Sequence, residues 1–347
     1  MAQWNLLANK VLEGGFVTLD EALGILSSSD DELLEVVAAA YRVRYRYFRR
    51  YVRLQYLMNA KSGLCPEDCH YCSQSRIATA NITKYPHKGH NAILEGAARA
   101  QHLQATTYCI VASGRGPTDG ELDQLVESIG QVKDQYNLRI CACLGILKPD
   151  QAKKLKEAGV ERYNHNVNSS ADFTPQFVTT HRYSDRVDTI NLVKDAGISP
   201  CSGVIFGMGE SLRDRIESAF ALKALDVDSI PVNFLIPIDG TPFQDRNLMS
   251  PQECLRALAM MRFVNPSKEI RIAGGREVQL RSLQPLGLYV ANSIFVADYL
   301  TTPGQAPAAD HAMIQDMGFE IEPAMHGDPQ ARDREGSEMD RNVSLGR

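Results

Sequence analysis

Three cysteines lie close together in the segment NAKSGLCPEDCHYCSQS, which begins at residue 59. Cys65, Cys69 and Cys72 have the spacing C-x3-C-x2-C, and thiolates this close can surround one compact centre of zinc or of iron and sulfur. A structural zinc site needs four closed ligands, and His70 is the local candidate for the fourth. A cubane held by three thiolates leaves one iron open. The spacing therefore predicts a [4Fe–4S] cluster with an open iron, and zinc is the alternative.

Three further cysteines each occupy a different apolar run. Cys109, Cys141 and Cys201 fall in predicted β-strands, where a cysteine is commonly a small core residue. If all three side chains point into one barrel, however, they meet near its axis. Arg271 lies in the apolar run EIRIA, where an arginine is costly unless it is paired or coordinated. The four residues could together hold a second, buried cluster, and the interpretation as core residues stays open.

Several polar residues also occur at positions that suit a ligand. Asn164, Asn166 and Asn168 alternate along one predicted strand and would share a face, and Asn233 lies in another. Arg186, at the predicted start of a helix, is a candidate for binding a carboxylate. The alternatives are a structural network of amides and, for Arg186, a surface salt bridge.

The elements that must position these residues alternate between short apolar runs and amphipathic helices. The capping boxes Ser211–Asp214 and Ser250–Glu253 indicate two helix starts. The alternation predicts an α/β fold, a (β/α)8 TIM-type barrel, in which the loop after strand one lies at the carboxyl end, where barrel active sites are built. A doubly wound open sheet is the alternative. The predicted strands are residues 52–58, 106–112, 138–145, 161–167, 199–207, 229–236, 269–274 and 292–299.

The chain of 347 residues divides into three predicted parts. Residues 1–48 form an N-terminal helical extension, in which Leu19, Leu23 and Leu26 recur at helical spacing. Residues 49–305 form the barrel. Residues 306–347 are a C-terminal segment rich in Pro, Asp, Glu and Arg, and we expect its end to be disordered.

Composition limits the classes of partner and the compartment. A net charge of −5 argues against a nucleic-acid partner, and no apolar run reaches the length of a membrane span. The N-terminus lacks the basic stretch and apolar core of an export signal. We therefore expect a cytoplasmic protein whose eight cysteines are metal ligands or catalytic groups rather than disulfides.

The cysteine motif resembles that of the radical S-adenosylmethionine superfamily, whose signature is C-x3-C-x2-C on the loop after barrel strand one. The resemblance implies that S-adenosylmethionine binds the open iron and that Tyr71, directly before the last cysteine, lies by its adenine. It also implies that the backbone of Ala112 and Ser113, in the segment VASGRG, hydrogen-bonds to the methionyl amine.

A longer resemblance, from about residue 5 to residue 320, is to the biotin synthase family. It is carried by CPEDCHYCSQS, YNHN, TTHRYSDR, PCSG, PVN, GTP and RIAGGRE. The resemblance implies radical insertion of sulfur into dethiobiotin to form biotin. It also implies that the sulfur comes from a [2Fe–2S] cluster held by Cys109, Cys141, Cys201 and Arg271.

The same resemblance implies that Asn166, Asn168 and Asn233 contact the ureido ring of the substrate and the adenosyl group. Arg186, the candidate for binding a carboxylate, is expected to bind S-adenosylmethionine. Cys143 departs from the family pattern by adding a thiol beside the buried site, and Asn168 stands where many members have an acidic residue. The expected partners are an electron donor of the flavodoxin or ferredoxin type and a second copy of the chain in a homodimer. The rival interpretations are a radical enzyme without a second cluster and a zinc-bearing scaffold protein.

Overall fold

The structure is a computed structural model that describes residues 2–323. Its strands are β1 (Tyr51–Lys61), β2 (Thr107–Ala112), β3 (Arg139–Cys143), β4 (Arg162–Asn164), β5 (Ser199–Cys201), β6 (Val204–Phe206), β7 (Ser229–Phe234), β8 (Glu269–Ile272), β9 (Ser293–Phe295) and β10 (Glu320–Ile321). Its α-helices are α1 (Ala2–Leu12), α2 (Leu19–Leu26), α3 (Leu33–Phe48), α4 (His90–His102), α5 (Asp119–Gln135), α6 (Pro149–Glu157), α7 (Tyr183–Asp195), α8 (Leu212–Ala224), α9 (Pro251–Val264), α10 (Arg276–Gln279), α11 (Gln284–Gly287) and α12 (Pro307–Asp316).

The sheet closes into a barrel of parallel strands. The order is β1-β2-β3-β4-β5-β7-β8-β9, β6 pairs with β7 beyond the end of β5, and β9 returns to pair with β1. Helices cover the outside, and the side chains that alternate outward from the strands join them in one large apolar core. The predicted (β/α)8 TIM-type barrel is thus confirmed, and the open sheet was wrong.

Several predicted strands end earlier in the structure, such as the eighth, residues 292–299, which ends at Phe295, and two differ for reasons visible in the structure. The fifth, residues 199–207, is divided into β5 and β6 at Ser202 and Gly203, where a Cβ atom on Gly203 would lie 1.9 Å from the carbonyl oxygen of Pro231. The fourth, residues 161–167, ends early at Asn164. Beyond it, the backbone N–H of Val167 donates to the side-chain oxygen of Ser202 at 3.1 Å instead of continuing the ladder.

Helix ends follow the sequence signals. The capping boxes of α8 at Ser211 and of α9 at Ser250 are both present, which confirms the two predicted starts. The N-terminal helices α1 to α3 exist as expected, but they bury different faces from those that leucine spacing suggests. In α2 the core residues are Ala22, Ile25 and Leu26, whereas Leu19 and Leu23 are exposed.

The C-terminal part of the described chain packs at the amino end of the barrel. There β10 adds to the start of β1, and Phe319 meets the rings of Tyr41 in α3 and of Tyr289, with centroid distances of 6.2 and 5.3 Å. This contact joins the N-terminal helices, the barrel and the C-terminal segment.

The predicted disorder at the chain end falls outside residues 2–323, and the predicted division after residues 48 and 305 stays a prediction. Within the described part of the chain, no helix combines the length and apolar character that a membrane crossing requires.

Candidate iron–sulfur centre and the buried thiol layer

The loop that follows β1 carries the first three cysteines at the carboxyl end of the barrel, as predicted. Cys69 is buried and Cys65 and Cys72 are partly buried, and all three thiols are free. Burial raises the pKa of Cys69 to about 11 and of Cys72 to about 12. The chain alone therefore holds neutral thiols, and a metal that binds them displaces their protons.

Asp68, between these cysteines, ties the loop to the segment before α7. Its carboxylate accepts hydrogen bonds from the backbone N–H groups of Thr179 and Thr180, at 2.9 and 3.2 Å, and from both threonine hydroxyls. Burial opposes ionisation, but these hydrogen bonds, those of Thr179 foremost, lower the pKa of Asp68 well below its usual range. The acidic residue therefore acts as an ionised anchor of the cysteine loop.

Glu67 makes a second anchor through a buried histidine. Its carboxylate contacts Nδ1 of His181 at 2.6 Å, and Nε2 of His181 lies 2.9 Å from Nε of Arg186. Because arginine can only donate, Nε2 must accept and the proton sits on Nδ1. Burial and the nearby Arg186 charge lower the pKa of His181, which agrees with a neutral imidazole. Arg186 also donates to the backbone oxygen of Asn166 at 2.7 Å, so this chain of contacts links the cysteine loop to the end of β4.

The donor set of the loop fits an iron–sulfur cluster. Within residues 2–323, no three His, Cys, Asp or Glu side chains converge as the ligands of a single metal ion do. A cluster of several irons places each thiolate on a different metal and needs no such convergence. Cys65, Cys69 and Cys72 supply three soft ligands from one anchored loop, and the acidic residues of the loop are already engaged by Thr179, Thr180 and His181.

The second set of cysteines meets inside the barrel. Cys109 and Cys141 are direct register partners on β2 and β3, while their neighbours Ile140 and Ala142 point outward into the main core. The side chains of Cys109 and Cys141 pack in one buried cluster, and the thiols of both Cys109 and Cys201 influence the pKa of Cys141, which is raised well above its usual value. All three cysteines are buried. The structure thus brings together three thiols from three separate strands.

Arg271 completes this layer from β8. It is 1% exposed, its guanidinium lies 4.8 Å from the ring centroid of Phe295, and one terminal nitrogen donates to Glu269 at 3.0 Å. Its Nε has no hydrogen-bond partner among the described residues. A buried guanidinium N–H without an acceptor is costly, and an anionic sulfur group held by the three thiols would supply one. These residues therefore fit a second iron–sulfur group.

Cys143 ends β3 two residues after Cys141 and is partly buried. Burial, followed by the nearby thiol of Cys201, raises its pKa to about 12. The extra thiol therefore lies on the side of the strand that faces the buried set, as the period of two in a strand predicts.

Tyr71 and Asn168 contact each other above this layer. The side-chain amide of Asn168 donates to the hydroxyl of Tyr71 at 2.8 Å, and burial raises the pKa of Tyr71 well above its usual value. Asn168 has a φ of 70°, a left-handed conformation that asparagine tolerates better than most residues. Both residues thus lie beside the cysteine loop.

The remaining asparagines are held by protein groups. Asn164 donates to the sulfur of Cys201 at 3.2 Å and to the side-chain oxygen of Asn166 at 2.9 Å. Asn166 and Asn168 follow the end of β4, so the prediction that all three share one strand face was wrong. Asn233 bridges the oxygen of Val204 and the N–H of Gly274, both at 3.0 Å. These contacts agree with a structural network of amides, and contact of Asn166, Asn168 and Asn233 with the substrate stays a prediction.

Ala112 is the last residue of β2 and Ser113 is the next residue in the chain. Both line a narrow cleft. The N–H of Ser113 donates to the oxygen of Lys61 at 3.0 Å, and its hydroxyl contacts the oxygen of Gly63.

Arg186 is 8% exposed, so a surface salt bridge was the wrong alternative for it. Residues that sequence reasoning missed are Glu67, Asp68, His181 and the buried pair Arg162 and Glu269. The motifs CPEDC and TTHRYSDR contain the first three, but the pairing between them is visible only in the fold.

Comparison with known proteins agrees with this geometry. Residues 61–222 match the model of the Radical SAM superfamily, and residues 231–320 match the Biotin and Thiamin Synthesis associated domain. The chain is 59% identical over 319 residues to a biotin synthase of Anoxybacillus flavithermus, covering 92% of this chain and 97% of the relative. It is 56% identical over 322 residues to a biotin synthase of Bacillus subtilis strain 168, with 93% and 96% covered.

The chain belongs to the biotin synthase family. The predicted family is thereby confirmed, and with it an enzyme of radical S-adenosylmethionine chemistry in biotin synthesis. Two solved structures share the fold of this biotin synthase family member. Methylornithine synthase has a TM-score of 0.80 at 19% identity, with 92% of this chain and 98% of that one covered. The FeFe-hydrogenase maturase HydG from Carboxydothermus hydrogenoformans has a TM-score of 0.77 at 18% identity, with 92% and 79% covered.

Proposed function

We propose that the chain inserts sulfur into dethiobiotin to form biotin and that the sulfur comes from a [2Fe–2S] cluster inside the barrel. The observation that carries the proposal is the meeting of Cys109, Cys141 and Cys201 from three strands. They lie in the interior of the same barrel whose carboxyl end carries the cysteine loop. A radical enzyme without sulfur insertion has no need of this second thiol layer.

Two cofactors would be held by separate ligand sets. Cys65, Cys69 and Cys72 would hold the [4Fe–4S] cluster with S-adenosylmethionine at its open iron. Cys109, Cys141, Cys201 and Arg271 would hold the [2Fe–2S] cluster. When bound, the [4Fe–4S] cluster and S-adenosylmethionine would together supply the abstraction of a hydrogen atom from an unactivated carbon. The [2Fe–2S] cluster would supply the sulfur.

The chain itself binds, orients and excludes water. Asp68 and the Glu67–His181–Arg186 contacts fix the loop whose cysteines would hold the [4Fe–4S] cluster. Tyr71, Ala112, Ser113, Arg186 and Asn168 are proposed to bind S-adenosylmethionine. Asn166, Asn168 and Asn233 are proposed to contact the substrate, each with a neutral amide rather than a charged group.

Three further statements belong to the proposal. The electron that starts each cycle would come from a donor of the flavodoxin or ferredoxin type. The enzyme would act in the cytoplasm as a homodimer. The chain would divide into an N-terminal helical extension of residues 1–48, the barrel of residues 49–305 and a C-terminal segment of residues 306–347.

Two cysteine variants test the proposal. Cys69→Ala removes a ligand of the loop cluster and is expected to abolish cleavage of S-adenosylmethionine. Cys201→Ala removes a ligand of the buried cluster and is expected to keep that cleavage but to stop biotin formation. Cys254→Ala is the matched control, because Cys254 is buried in α9 and belongs to the outer core. Cleavage is measured as methionine released, and product as biotin, both without oxygen.

The outcomes separate the rival interpretations. Biotin formation by both Cys69→Ala and Cys201→Ala would refute the proposal. Mössbauer spectra of wild type that show a single cluster type would favour a radical enzyme without a sulfur-donating cluster. A protein that binds zinc and no iron would favour the scaffold.

A further inference from the structure

A fully buried carboxylate lies in the floor of the barrel, below the thiol layer. Glu269, the first residue of β8, accepts hydrogen bonds from Arg271 at 3.0 Å, from Arg162 at 3.1 Å and from Arg53 at 3.2 Å. Burial opposes its charge, but the three arginines, Arg162 foremost, lower its pKa well below the usual range. The floor therefore holds one ionised carboxylate and more than one guanidinium.

Arg162 differs from the other two arginines in its position. It starts β4 and reaches Glu269 across the barrel, so its side chain points inward. Its register partner on the neighbouring strand is Cys141. Burial opposes the charge of Arg162, but Glu269 and the thiols of Cys201 and Cys141 raise its pKa. The guanidinium thus faces both the carboxylate below and the thiols beside it.

The Nε atom of Arg162 is buried without a hydrogen-bond acceptor among the described residues. The residue is 5% exposed. An arginine offers five N–H donors and no acceptor, and an unsatisfied buried N–H of a charged group is more costly than that of a neutral one. Nε of Arg162 therefore lacks a hydrogen-bond acceptor among the described residues. The neighbouring thiols of Cys141 and Cys201 are proposed to hold an anionic sulfur group, which would be such an acceptor.

We propose that Arg162, held in place by Glu269, donates a charge-assisted hydrogen bond to sulfur of the buried cluster. This inference rests on the proposed function, because it needs the second cluster. Arg162 is then a second guanidinium at that cluster besides Arg271. It stabilises negative charge on the cluster sulfur and retains the cluster until the substrate takes the sulfur.

Arg53 provides a matched control on the same carboxylate. It contacts the same oxygen of Glu269 as Arg162 does, and its other partner is Glu322. On β1, however, the residue level with Cys109 is Leu57. Arg53 lies four residues before Leu57, although through β9 it is level with Arg271. Its side chain is 27% exposed, and Gln55, between Arg53 and Leu57 on β1, contacts the thiol of Cys109 instead. Removing Arg53 disturbs Glu269 without removing a donor from the thiol layer.

The test compares Arg162→Met with Arg53→Met in the reconstituted holoenzyme. Each protein is exposed to an iron chelator without oxygen, the loss of [2Fe–2S] absorption is timed, and the remaining clusters are counted by Mössbauer spectroscopy. Arg162→Met is expected to lose the buried cluster about tenfold faster than wild type, the scale of one charge-assisted hydrogen bond. Arg53→Met is expected to stay within about twofold of wild type, because it removes no such bond. The loop cluster should be retained equally in all three.

Equal loss rates in Arg162→Met and Arg53→Met would overturn the inference. If Arg162→Met does not fold because Glu269 is left without its partner, the same comparison is made in Arg162→Met/Glu269→Gln and Arg53→Met/Glu269→Gln, which remove the buried charge together. Wild type without a second cluster would instead overturn the proposed function, and the Mössbauer count of wild type shows this independently of any variant.

Discussion

At the scale of single residues, the acidic pair between the loop cysteines has a structural role that a sequence cannot show. Glu67 and Asp68 are surrounded by the cysteines of the motif, yet their partners lie more than a hundred residues later, at Thr179, Thr180 and His181. A local pattern identifies a loop that can bind metal, but only tertiary contacts say what holds the loop in place. The same limit applies to Arg162 and Glu269, which meet across the barrel.

Replacing Asp68 with asparagine tests the anchor. The Asp68→Asn side chain keeps the size of the original and an oxygen for the N–H groups of Thr179 and Thr180. It loses the negative charge, however, and its NH2 group cannot accept the hydrogen bond from the hydroxyl of Thr179, so the unfolding free energy should fall by about 2 kcal/mol at pH 7. The folded-state pKa of Asp68 is lowered, so its stabilisation is present above the unfolded pKa of about 3.9 and is lost as pH falls below it. Urea unfolding followed by circular dichroism at a series of pH values should show the gap to wild type narrowing below about pH 4.

The exposed Asp134 in α5 gives the control, since Asp134→Asn should leave the unfolding free energy almost unchanged. A gap between wild type and Asp68→Asn that stays constant with pH would mean that the ionised carboxylate is not the source of the stabilisation.

At the scale of elements, periodicity predicted the barrel and missed the places where strands stop. Eight apolar runs separated by helices are enough to identify the (β/α)8 fold. The ends of β4 and β5 depend on which neighbour satisfies each N–H. Val167 finds the hydroxyl of Ser202, and Gly203 passes close to Pro231. These cross-strand approaches have no signature within either segment.

Gly203→Ala tests the close approach of β7 to the break between β5 and β6. The added Cβ would lie 1.9 Å from the oxygen of Pro231, so either strand must move, and we expect the unfolding free energy to fall by about 1–3 kcal/mol. Gly130→Ala in α5 is the matched change, because nothing lies within 4 Å of its Cβ position and the helix should gain up to about 1 kcal/mol. Urea unfolding measures both, and equal stability of the two variants would refute the packing argument.

At the scale of the whole molecule, the N-terminal helices and the C-terminal segment meet at one aromatic contact. Phe319 is 5% exposed and touches the rings of Tyr41 and Tyr289, with the guanidinium of Arg44 4.6 Å from its centroid. Composition predicted neither this contact nor β10, because the segment after residue 305 carries little periodicity. The contact joins α3, the segment before β9 and the C-terminal segment at the amino end of the barrel.

Phe319→Ala should therefore destabilise the whole molecule and not the C-terminal segment alone. Truncation of a buried phenylalanine is expected to cost about 3–5 kcal/mol, seen as one cooperative shift in the thermal unfolding of the enzyme. Leu34→Ala on α3 is the control, since Leu34 is 65% exposed and its truncation should change stability by less than about 0.5 kcal/mol. Unfolding in two separate steps would show that the C-terminal segment is energetically independent of the barrel.

The packed ionic floor of Arg53, Arg162 and Glu269, backed by Glu322 and β10, also bears on how a spent enzyme could be repaired. Iron and sulfide that replace a consumed buried cluster would have to enter from the opposite end, past the cysteine loop. Dethiobiotin and S-adenosylmethionine would need that same entrance. Catalytic turnover and cluster repair would then compete for the same opening of the barrel. Biotin would have to leave through this opening before the buried cluster could be rebuilt.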